Sequence, residues 1–183
     1  MDSKKFSEYF LLLEKIKLVV IDCDGVMTDG GIYINNKGES FKRFDVKDGL
    51  GIKLLISKKI HIACISGSNS PILDIRAKSL GIEIIKKGVK DKLFELKKIQ
   101  TQLKVDINET IFLGDDINDL IVFDAVGCFA VPSDAHEACK RKANLIGIKK
   151  GGEGFIREII DSILLAKEMN PYEPLKTRNE FDI

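Results

Sequence analysis

Two aspartates directly after an apolar run near the N-terminus are the first residues whose spacing could do chemistry. Residues 18–21 read Leu-Val-Val-Ile, and the next three positions are Asp22, Cys23 and Asp24. The apolar run predicts a strand that is buried on both faces, and side chains two positions apart on an extended chain point the same way. The carboxylates of Asp22 and Asp24 should therefore converge on one spot, while Cys23 turns away.

Two carboxylates held together need a cation or a shared proton between them. At about 4 Å and an effective dielectric near 20 they repel by roughly 4 kcal/mol. Oxygen ligands favour Mg²⁺, which usually also takes phosphate oxygens from a substrate. A solvated turn is the alternative, since Asp and Gly are common turn residues. An EF-hand calcium loop is excluded, because its fifth and twelfth positions would be Val26 and Tyr33 instead of acids.

Polar side chains also follow two later apolar runs. Ser66 follows residues 60–65, and residues 110–113 are followed by Gly-Asp-Asp-Ile-Asn-Asp at 114–119. The carboxyl ends of parallel strands meet at one edge of a sheet, where ligands bind in α/β folds. Acids and a hydroxyl at that edge would form a metal and phosphate site. Lys92, at the start of a predicted helix, is the best-placed cation for the phosphate.

The rest of the chain alternates predicted strands and helices, which indicates an α/β fold. Strands are predicted at residues 16–21, 60–65, 83–85, 110–113, 128–131 and 145–148. Helices are predicted at residues 3–15, 48–57, 71–80, 91–103, 134–143 and 155–167, with another ending near residue 126 and with Asp48 as the N-cap of the second. Residues 31–45 read as a β-hairpin. The alternation predicts a Rossmann-like, doubly wound parallel sheet with helices on both faces.

Composition bounds the class of protein. The 183 residues predict a single domain at residues 1–169 and an extended or flexible tail at residues 170–183. Lysine and arginine number 29 against 28 acids, so bulk charge does not favour a nucleic-acid partner. Without a signal peptide or an apolar run of about 18 residues, no membrane partner is expected. Four scattered cysteines indicate reduced, buried thiols and a cytoplasmic protein.

The ordered polar motifs resemble those of the haloacid dehalogenase superfamily of phosphatases. They are Asp22-x-Asp24-Gly-x-x-x-Asp29-Gly, Ser66-Gly, Lys92 and Gly114-Asp115-Asp116-x-x-Asp119. The hairpin, the Asp-Val-Lys-Asp-Gly stretch at residues 45–49 and the Lys-Gly-Gly-Glu-Gly turn at residues 150–154 look more narrowly like a capless branch. That branch contains the 3-deoxy-D-manno-octulosonate 8-phosphate phosphatases and the phosphatases of nonulosonate 9-phosphates.

The resemblance implies a mechanism through a covalent intermediate. Asp22 is implied as the nucleophile that forms an aspartyl-phosphate, and Asp24 as the general acid and base. The implied cofactor is Mg²⁺, held by Asp22, the backbone carbonyl of Asp24 and Asp115. The cation lets an anionic nucleophile approach an anionic phosphate.

The resemblance also implies which residues bind the phosphate and the rest of the substrate. Ser66 and Lys92 are implied to bind the phosphate oxygens, and Asp116 and Asp119 to orient Lys92 or a metal-bound water. The implied substrate contacts are Asp24, Asp45, Val46, Lys47, Asp48, Gly49, Lys53, Ser68, Arg76 and Lys92.

Two of these positions depart from the octulosonate branch. Lys53 and Ser68 stand where those enzymes usually carry arginine, which grips a carboxylate bidentately where serine cannot. Ser68-Asn69 looks instead like the turn in relatives of the nonulosonate pathway. The implied substrate is therefore a phosphorylated 2-keto-3-deoxy sugar acid, either octulosonate 8-phosphate or a nonulosonate 9-phosphate.

The spacing of the motifs leaves no room for a separate cap domain. Only a hairpin and one helix fit between Asp24 and Ser66, and only a helix and a strand fit between Lys92 and Asp115. In the resembling branch a homotetramer covers the site, with the hairpins forming a central barrel. We expect a homotetramer here, because an isolated two-stranded hairpin is marginally stable and leaves its edges unpaired.

The sequence therefore predicts a phosphoric monoester hydrolase of sugar-acid biosynthesis, such as that of lipopolysaccharide. A signalling receiver domain also combines acids, a hydroxyl residue and a lysine on a parallel sheet. Its phosphoacceptor, however, follows the third strand, whereas Asp22 follows the first. A non-catalytic oligomerisation or regulatory module of a sugar-acid activation pathway is a further alternative, and the complete set of acids argues against it.

Overall fold

The computed structural model describes residues 3–38 and 40–170 of the chain. Its strands are β1 (Leu18–Ile21), β2 (Tyr33–Ile34), β3 (Ser40–Phe41), β4 (His61–Ile65), β5 (Ile84–Lys86), β6 (Thr110–Leu113), β7 (Cys128–Val131) and β8 (Leu145–Ile146). Its α-helices are α1 (Ser3–Glu14), α2 (Val46–Ser57), α3 (Pro71–Leu80), α4 (Lys92–Leu103), α5 (Glu137–Lys142) and α6 (Phe155–Ala166). The predicted C-terminal tail lies outside the described residues from position 171 onward. None of the described helices is long and apolar enough to cross a membrane.

Six strands form one parallel sheet in the order β5-β4-β1-β6-β7-β8. The strand β1 lies in the middle, with Val20 opposite Ala63 of β4 on one side and Phe112 of β6 on the other. All five pairings in this sheet are parallel, as the alternation of strands and helices predicts. The carboxyl ends of β4, β1 and β6 therefore lie side by side.

Helices cover both faces of the sheet, because side chains alternate along each buried strand. Val19 and Ile21 of β1 point into a core that is completed by α1, α2, α3 and α6. Leu18 and Val20 point into a second core that contains residues of α4, α5 and the segment Ile117–Ala125. This confirms the predicted doubly wound architecture, and no cap domain occurs among residues 3–38 and 40–170.

The hairpin that follows the first strand is also present. The strands β2 and β3 pair antiparallel, with Tyr33 opposite Phe41, and the return segment pairs once more with the core through Thr28 and Phe44. Each strand is only two residues long, shorter than expected from residues 31–45. Side chains on this hairpin lie in solvent, including those of Ile34 (70% exposed) and Phe41 (59% exposed).

The prediction that Asp48 caps the second helix is wrong. The N-cap of α2 lies three residues earlier, at Asp45, whose side chain accepts hydrogen bonds from the backbone N–H groups of Lys47 (2.7 Å) and Asp48 (3.3 Å). Both aspartates are suitable capping residues, so the local sequence does not discriminate between them. Asp48 is instead buried, and its carboxylate faces α6.

Two further helices differ from the expectation. The segment Ile117–Ala125 is a run of 3₁₀ turns instead of an α-helix, and Asp119 folds back to accept hydrogen bonds from the N–H groups of Asp115 and Asp116, just before the segment. The helix α5 is shorter than residues 134–143, since His136 caps its first turn by accepting a hydrogen bond from Ala138.

Candidate active site

A pocket of about 400 Å³ opens where β1, β4 and β6 end side by side. Asp22 and Ser66 directly follow β1 and β4, and Asp115 lies two residues beyond β6. The pocket is lined by Asp22, Asp24, Gly25, Gly30, Ser66, Gly67, Ser68, Asp115, Asp116 and Asn118. The structure thus brings the predicted acids and the predicted hydroxyl to one place, together with Asn118, which the sequence analysis did not single out.

Asp24 reaches this pocket by a route that differs from the expectation. The strand ends at Ile21, and residues Cys23–Met27 form a single wide helical turn in place of extended chain. Gly25 supports the turn with a positive φ of 86°, which a side chain would disfavour. The hydroxyl of Thr28 also accepts a hydrogen bond from the N–H of Gly30 (3.2 Å). We call the segment from Asp22 to Gly30 the catalytic turn.

The glycine-rich segment before α6 packs against the catalytic turn, backbone on backbone. A Cβ at Gly151 would lie 1.8 Å from the carbonyl oxygen of Gly25, and one at Gly152 would lie 2.4 Å from the backbone of Asp29. The N–H of Gly152 donates to the carbonyl of Val26 (2.9 Å). These glycines therefore allow the close approach that holds the catalytic turn in place.

Lys92 lies between two carboxylates in the buried part of the site. Its ammonium is 3.0 Å from Asp22 Oδ1 and 2.6 Å from Asp119 Oδ1. Burial opposes the charge of Lys92, but the two carboxylates outweigh it and raise the pKa above its ordinary value. Asp119 is fully buried, and its other oxygen accepts a hydrogen bond from the N–H of Asp115 (3.0 Å). Asp119 thus contacts Lys92 directly, and its role in orienting this lysine stays a prediction.

Negative charge is concentrated beside this lysine. One carboxylate oxygen each of Asp22, Asp115 and Asp119 lies within 4.8 Å of the others. Burial, and after it the charge of Asp119, raises the pKa of Asp22 to about 7, although Lys92 opposes the shift. Burial and the charges of Asp22 and Asp119 raise the pKa of Asp115 to about 8.

An oxygen-only cluster with excess negative charge fits a hard divalent cation such as Mg²⁺. Asp119 already binds Lys92 and backbone N–H groups, so Asp22 and Asp115 are the carboxylates left to hold a metal ion. The carboxylate of Asp115 packs closely against the backbone of Gly25, where an added Cβ would lie 2.0 Å from Asp115 Oδ2. This packing limits the positions that the carboxylate of Asp115 can adopt. The donor set and the space therefore fit the predicted metal.

Asp24 has a partner that the sequence analysis missed. The ammonium of Lys42 lies 2.6 Å from Asp24 Oδ1, and the side chain of Lys42 is only 3% exposed. Lys42 belongs to the segment that returns from the hairpin, 18 positions away from Asp24. Such a pair has no local signature in the sequence, because neither the spacing nor the hydropathy of the Lys-Arg-Phe stretch distinguishes it from an ordinary charged surface.

The remaining predicted site residues divide into two groups. Ser66 and Ser68 line the pocket, and the hydroxyl oxygen of Ser66 accepts a hydrogen bond from the N–H of Ser68 (3.1 Å). Asp116 also lines it, and its carboxylate accepts a hydrogen bond from the N–H of Ile117 (2.7 Å). The residues outside this lining are Asp45, Val46, Lys47, Asp48, Gly49, Lys53 and Arg76.

Three residues of the second group have their surroundings elsewhere in the fold. Arg76 donates a hydrogen bond to the carbonyl of Asp45 (3.3 Å) and lies over the ring of Phe44. Lys53 lines a separate cavity between α2 and α3. The carboxylate of Asp48 accepts hydrogen bonds from the first turn of α6. Within this chain, the structure does not bring these residues to the acidic pocket.

Comparison with known proteins identifies the family. Residues 55–159 match the model of the haloacid dehalogenase-like hydrolases. The chain belongs to this family. Over 153 residues it is 40% identical to the 3-deoxy-D-manno-octulosonate 8-phosphate phosphatase of Yersinia pestis. The alignment covers 84% of this chain and 82% of that protein. The resemblance read from the motifs is thereby confirmed, and with it the prediction of a hydrolase.

Solved structures of this family share the architecture. The 3-deoxy-D-manno-octulosonate 8-phosphate phosphatase of Moraxella catarrhalis, in complex with magnesium, phosphate and KDO, superposes with a TM-score of 0.86 at 34% identity, over 88% of this chain and 93% of that chain. The cobalt-bound deoxy-D-mannose-octulosonate 8-phosphate phosphatase of Haemophilus influenzae gives 0.83 at 39% identity, over 86% and 92%. The predicted fold is therefore the fold of this family.

Proposed function

We propose that this protein is a Mg²⁺-dependent phosphomonoesterase that hydrolyses a phosphorylated 2-keto-3-deoxy sugar acid. The observation that carries the proposal is the arrangement of Asp22, in contact with Lys92 and beside Asp115, at the floor of a pocket that Asp24 also lines. A nucleophile, a metal-binding carboxylate, a fixed cation and an acid are thus within reach of one phosphate group. The names of the relatives make octulosonate 8-phosphate the first substrate to test.

Asp22 is the nucleophile in this proposal. Its carboxylate oxygen forms a bond to phosphorus while the bond from phosphorus to the substrate oxygen breaks, which leaves an aspartyl-phosphate and an alcohol. Asp24 protonates the leaving oxygen and then takes a proton from the water that hydrolyses the intermediate. Each of the two steps has a lower barrier than direct attack of water on the ester.

Lys92 and Ser66 hold the transferred group. The ammonium of Lys92 is fixed by Asp119 and is available to phosphate oxygens as negative charge gathers on them. The hydroxyl oxygen of Ser66 already accepts a hydrogen bond, so its O–H can donate to the phosphate. Mg²⁺, which Asp22, Asp115 and the backbone carbonyl of Asp24 would hold, supplies charge neutralisation between nucleophile and phosphate when bound.

The sugar-acid part of the substrate is recognised by residues at the rim of the pocket. Among the predicted sugar-acid contacts, Ser68 lines the pocket together with Asp24, while Lys53 and Arg76 lie elsewhere. A serine forms single hydrogen bonds and cannot bind a carboxylate bidentately. We propose that Ser68 contributes to the choice between octulosonate 8-phosphate and a nonulosonate 9-phosphate.

The proposal is tested by phosphate release. The purified protein should release inorganic phosphate from a sugar-acid phosphate only when Mg²⁺ is present, and Asp22→Asn should abolish release because an amide cannot form the aspartyl-phosphate. A side-by-side measurement of kcat/KM on octulosonate 8-phosphate and on nonulosonate 9-phosphates ranks the substrates. Ready turnover by Asp22→Asn, or no turnover of any sugar-acid phosphate by the wild type, would refute the proposal.

We also propose how the protein assembles and where it works. Residues 1–169 are proposed as one catalytic domain that forms a homotetramer through the hairpin. The exposed apolar side chains of Tyr33, Ile34 and Phe41 support this, because an apolar patch of this kind marks an interface. The four free, buried cysteines support a cytoplasmic location.

A further inference from the structure

Lys42 occupies an unusual position for a lysine of a hairpin. Its side chain is 3% exposed, whereas the side chain of its partner Asp24 is 33% exposed and lines the pocket. An ammonium group is seldom buried without a paired charge, because the loss of hydration is costly. The ion pair to Asp24 Oδ1, at 2.6 Å, meets that requirement and binds one of the two carboxylate oxygens.

The backbone of the catalytic turn does not by itself fix the side-chain conformation of Asp24. Its backbone has φ −81° and ψ 122°, outside the helical region that the turn around it adopts, and the next residue is Gly25. An aspartate side chain on a backbone of this extended kind can adopt several rotamers, and catalysis needs one of them. Among the residues that the structure describes, Lys42 is the side-chain partner of Asp24, so it selects the rotamer.

The segment that carries Lys42 is itself anchored. The neighbouring Arg43 donates a hydrogen bond to the carbonyl of Gly152 (2.7 Å), in the glycine-rich segment that packs on the catalytic turn. One residue further, Phe44 pairs with Thr28 of the turn. The backbone of Lys42 is therefore held against the same part of the molecule that carries Asp24.

We propose that Lys42 is a positioning residue for Asp24, the acid that protonates the leaving group. By binding Oδ1 from the buried side, it keeps the other carboxylate oxygen available to the pocket, where the oxygen of the leaving alcohol must lie. The inference rests on the proposed phosphatase function. It also means that the hairpin supplies a residue on which the chemistry depends.

The leaving group separates this role from a merely structural one. An alkoxide is a poor leaving group and needs a proton, whereas p-nitrophenolate leaves without one, so loss of a positioned acid affects only the first kind of ester. The value of kcat/KM covers the steps up to formation of the aspartyl-phosphate. It is measured for p-nitrophenyl phosphate and for the sugar-acid phosphate that the wild type hydrolyses best.

Lys42→Met should lower kcat/KM on the sugar-acid phosphate by about 100-fold, the size of a general-acid contribution, and on p-nitrophenyl phosphate by less than about 5-fold. Lys42→Arg keeps the cation and should restore most of the loss. Lys37→Met, a change of the same type at an exposed position of the same hairpin, is the matched control and should behave like the wild type. If Lys42→Met does not fold, kcat/KM on the same two esters is measured with Lys42→Gln, which can still donate a hydrogen bond.

The outcomes are distinguishable. Equal losses on both esters, or a Lys42→Met variant with the kinetics of the wild type, overturn the positioning role while the phosphatase function stands. A wild type that hydrolyses neither ester overturns the proposed function and this inference with it. Thermal unfolding midpoints of all variants show whether a loss comes from unfolding.

Discussion

The residues around Lys92 carry more negative charge than this lysine neutralises. Burial and mutual repulsion raise the pKa values of Asp22 and Asp115 to about 7 and about 8, against an ordinary value of 3.8. Between about pH 4 and pH 7, the folded protein without metal therefore keeps protons on these two carboxyl groups. The unfolded chain has already released them in this range. Stability of the metal-free protein should fall as pH rises through this range, because the native state binds more protons than the unfolded one.

Mg²⁺ should reverse this dependence. A metal ion binds the ionised carboxylates, so its dissociation constant should be at least about 10-fold higher near pH 6 than near pH 9. The increase in thermal unfolding midpoint on adding Mg²⁺ should accordingly be larger at the higher pH. Isothermal calorimetry and thermal scans at both pH values check this. Asp115→Asn should lose the Mg²⁺-dependent increase, and an affinity that does not change with pH would contradict the charge cluster described above.

Gly25 is needed for two separate reasons, which a second glycine helps to separate. Both Gly25 and Gly38 have positive φ, at 86° and 79°, but a Cβ at Gly25 would meet Asp115 Oδ2 at 2.0 Å, whereas a Cβ at Gly38 meets nothing within 4 Å. Alanine at either position costs about 1–2 kcal/mol of backbone strain. Only alanine at Gly25 would also displace the carboxylate of Asp115, which we propose as a Mg²⁺ ligand.

Gly25→Ala should therefore lower kcat by about 100-fold and weaken Mg²⁺ binding, since a displacement of about 1 Å can have an effect of this size. Gly38→Ala should lose some stability and keep its activity. Steady-state kinetics, calorimetry and urea unfolding of both variants measure the difference. Similar kinetic losses in the two variants would show that backbone strain, and not the contact with Asp115, is what matters.

At the scale of elements, Asp48 joins two helices that meet beside the site. The helix α6 begins at Phe155, and its N-cap residue, Gly154, has no side chain to cap it. Asp48 of α2 takes that role, because its carboxylate accepts hydrogen bonds from the N–H groups of Gly154 (3.3 Å) and Arg157 (2.8 Å). The glycine-rich segment that supports the catalytic turn leads directly into this capped helix.

Asp48→Ala should destabilise the protein by about 1–2 kcal/mol, the usual effect of removing a helix cap. Asp124 is exposed and provides the control, since Asp124→Ala removes a carboxylate without a capping role. Urea unfolding compares the free energies of unfolding of the two variants. Equal stability of Asp48→Ala and the wild type would mean that water replaces the carboxylate at the start of α6.

At the scale of the whole molecule, the hairpin presents apolar side chains to solvent on both of its strands. Tyr33 and Phe41 are opposite each other in β2 and β3, and both are more than half exposed. A two-stranded ribbon with such side chains is marginal by itself and is stabilised when other strands cover it. The same hairpin leads to Lys42, so its assembly and the position of Asp24 are physically connected.

Phe41→Lys should break the proposed tetramer into smaller species, because a charge would have to be buried in the interface. Ile148→Lys places the same charge at an exposed apolar position away from the hairpin, and it should leave the mass in solution unchanged. Size-exclusion chromatography with light scattering measures both masses and that of the wild type. A wild type that elutes as a monomer would rule out the assembly.

The positions of the reactive groups along the sheet could be predicted from local sequence. The apolar runs before Asp22, Ser66 and Asp115 indicate buried strands, and parallel strands place their carboxyl ends at one edge. Strand existence and order of motifs depend on residues that are neighbours in the chain. The family and the fold followed from these features for the same reason.

Only the tertiary structure decided which residues contact one another across elements. The pairing of Lys42 with Asp24, the capping of α6 by Asp48 and the approach of Gly151 to Gly25 join residues that are 18 to 126 positions apart. Hydropathy reports how deeply each residue is buried in its own element, but a contact between elements depends on how they pack. The two aspartates at the end of β1 were visible from the sequence, whereas the wide turn and the lysine that orient the second of them were not.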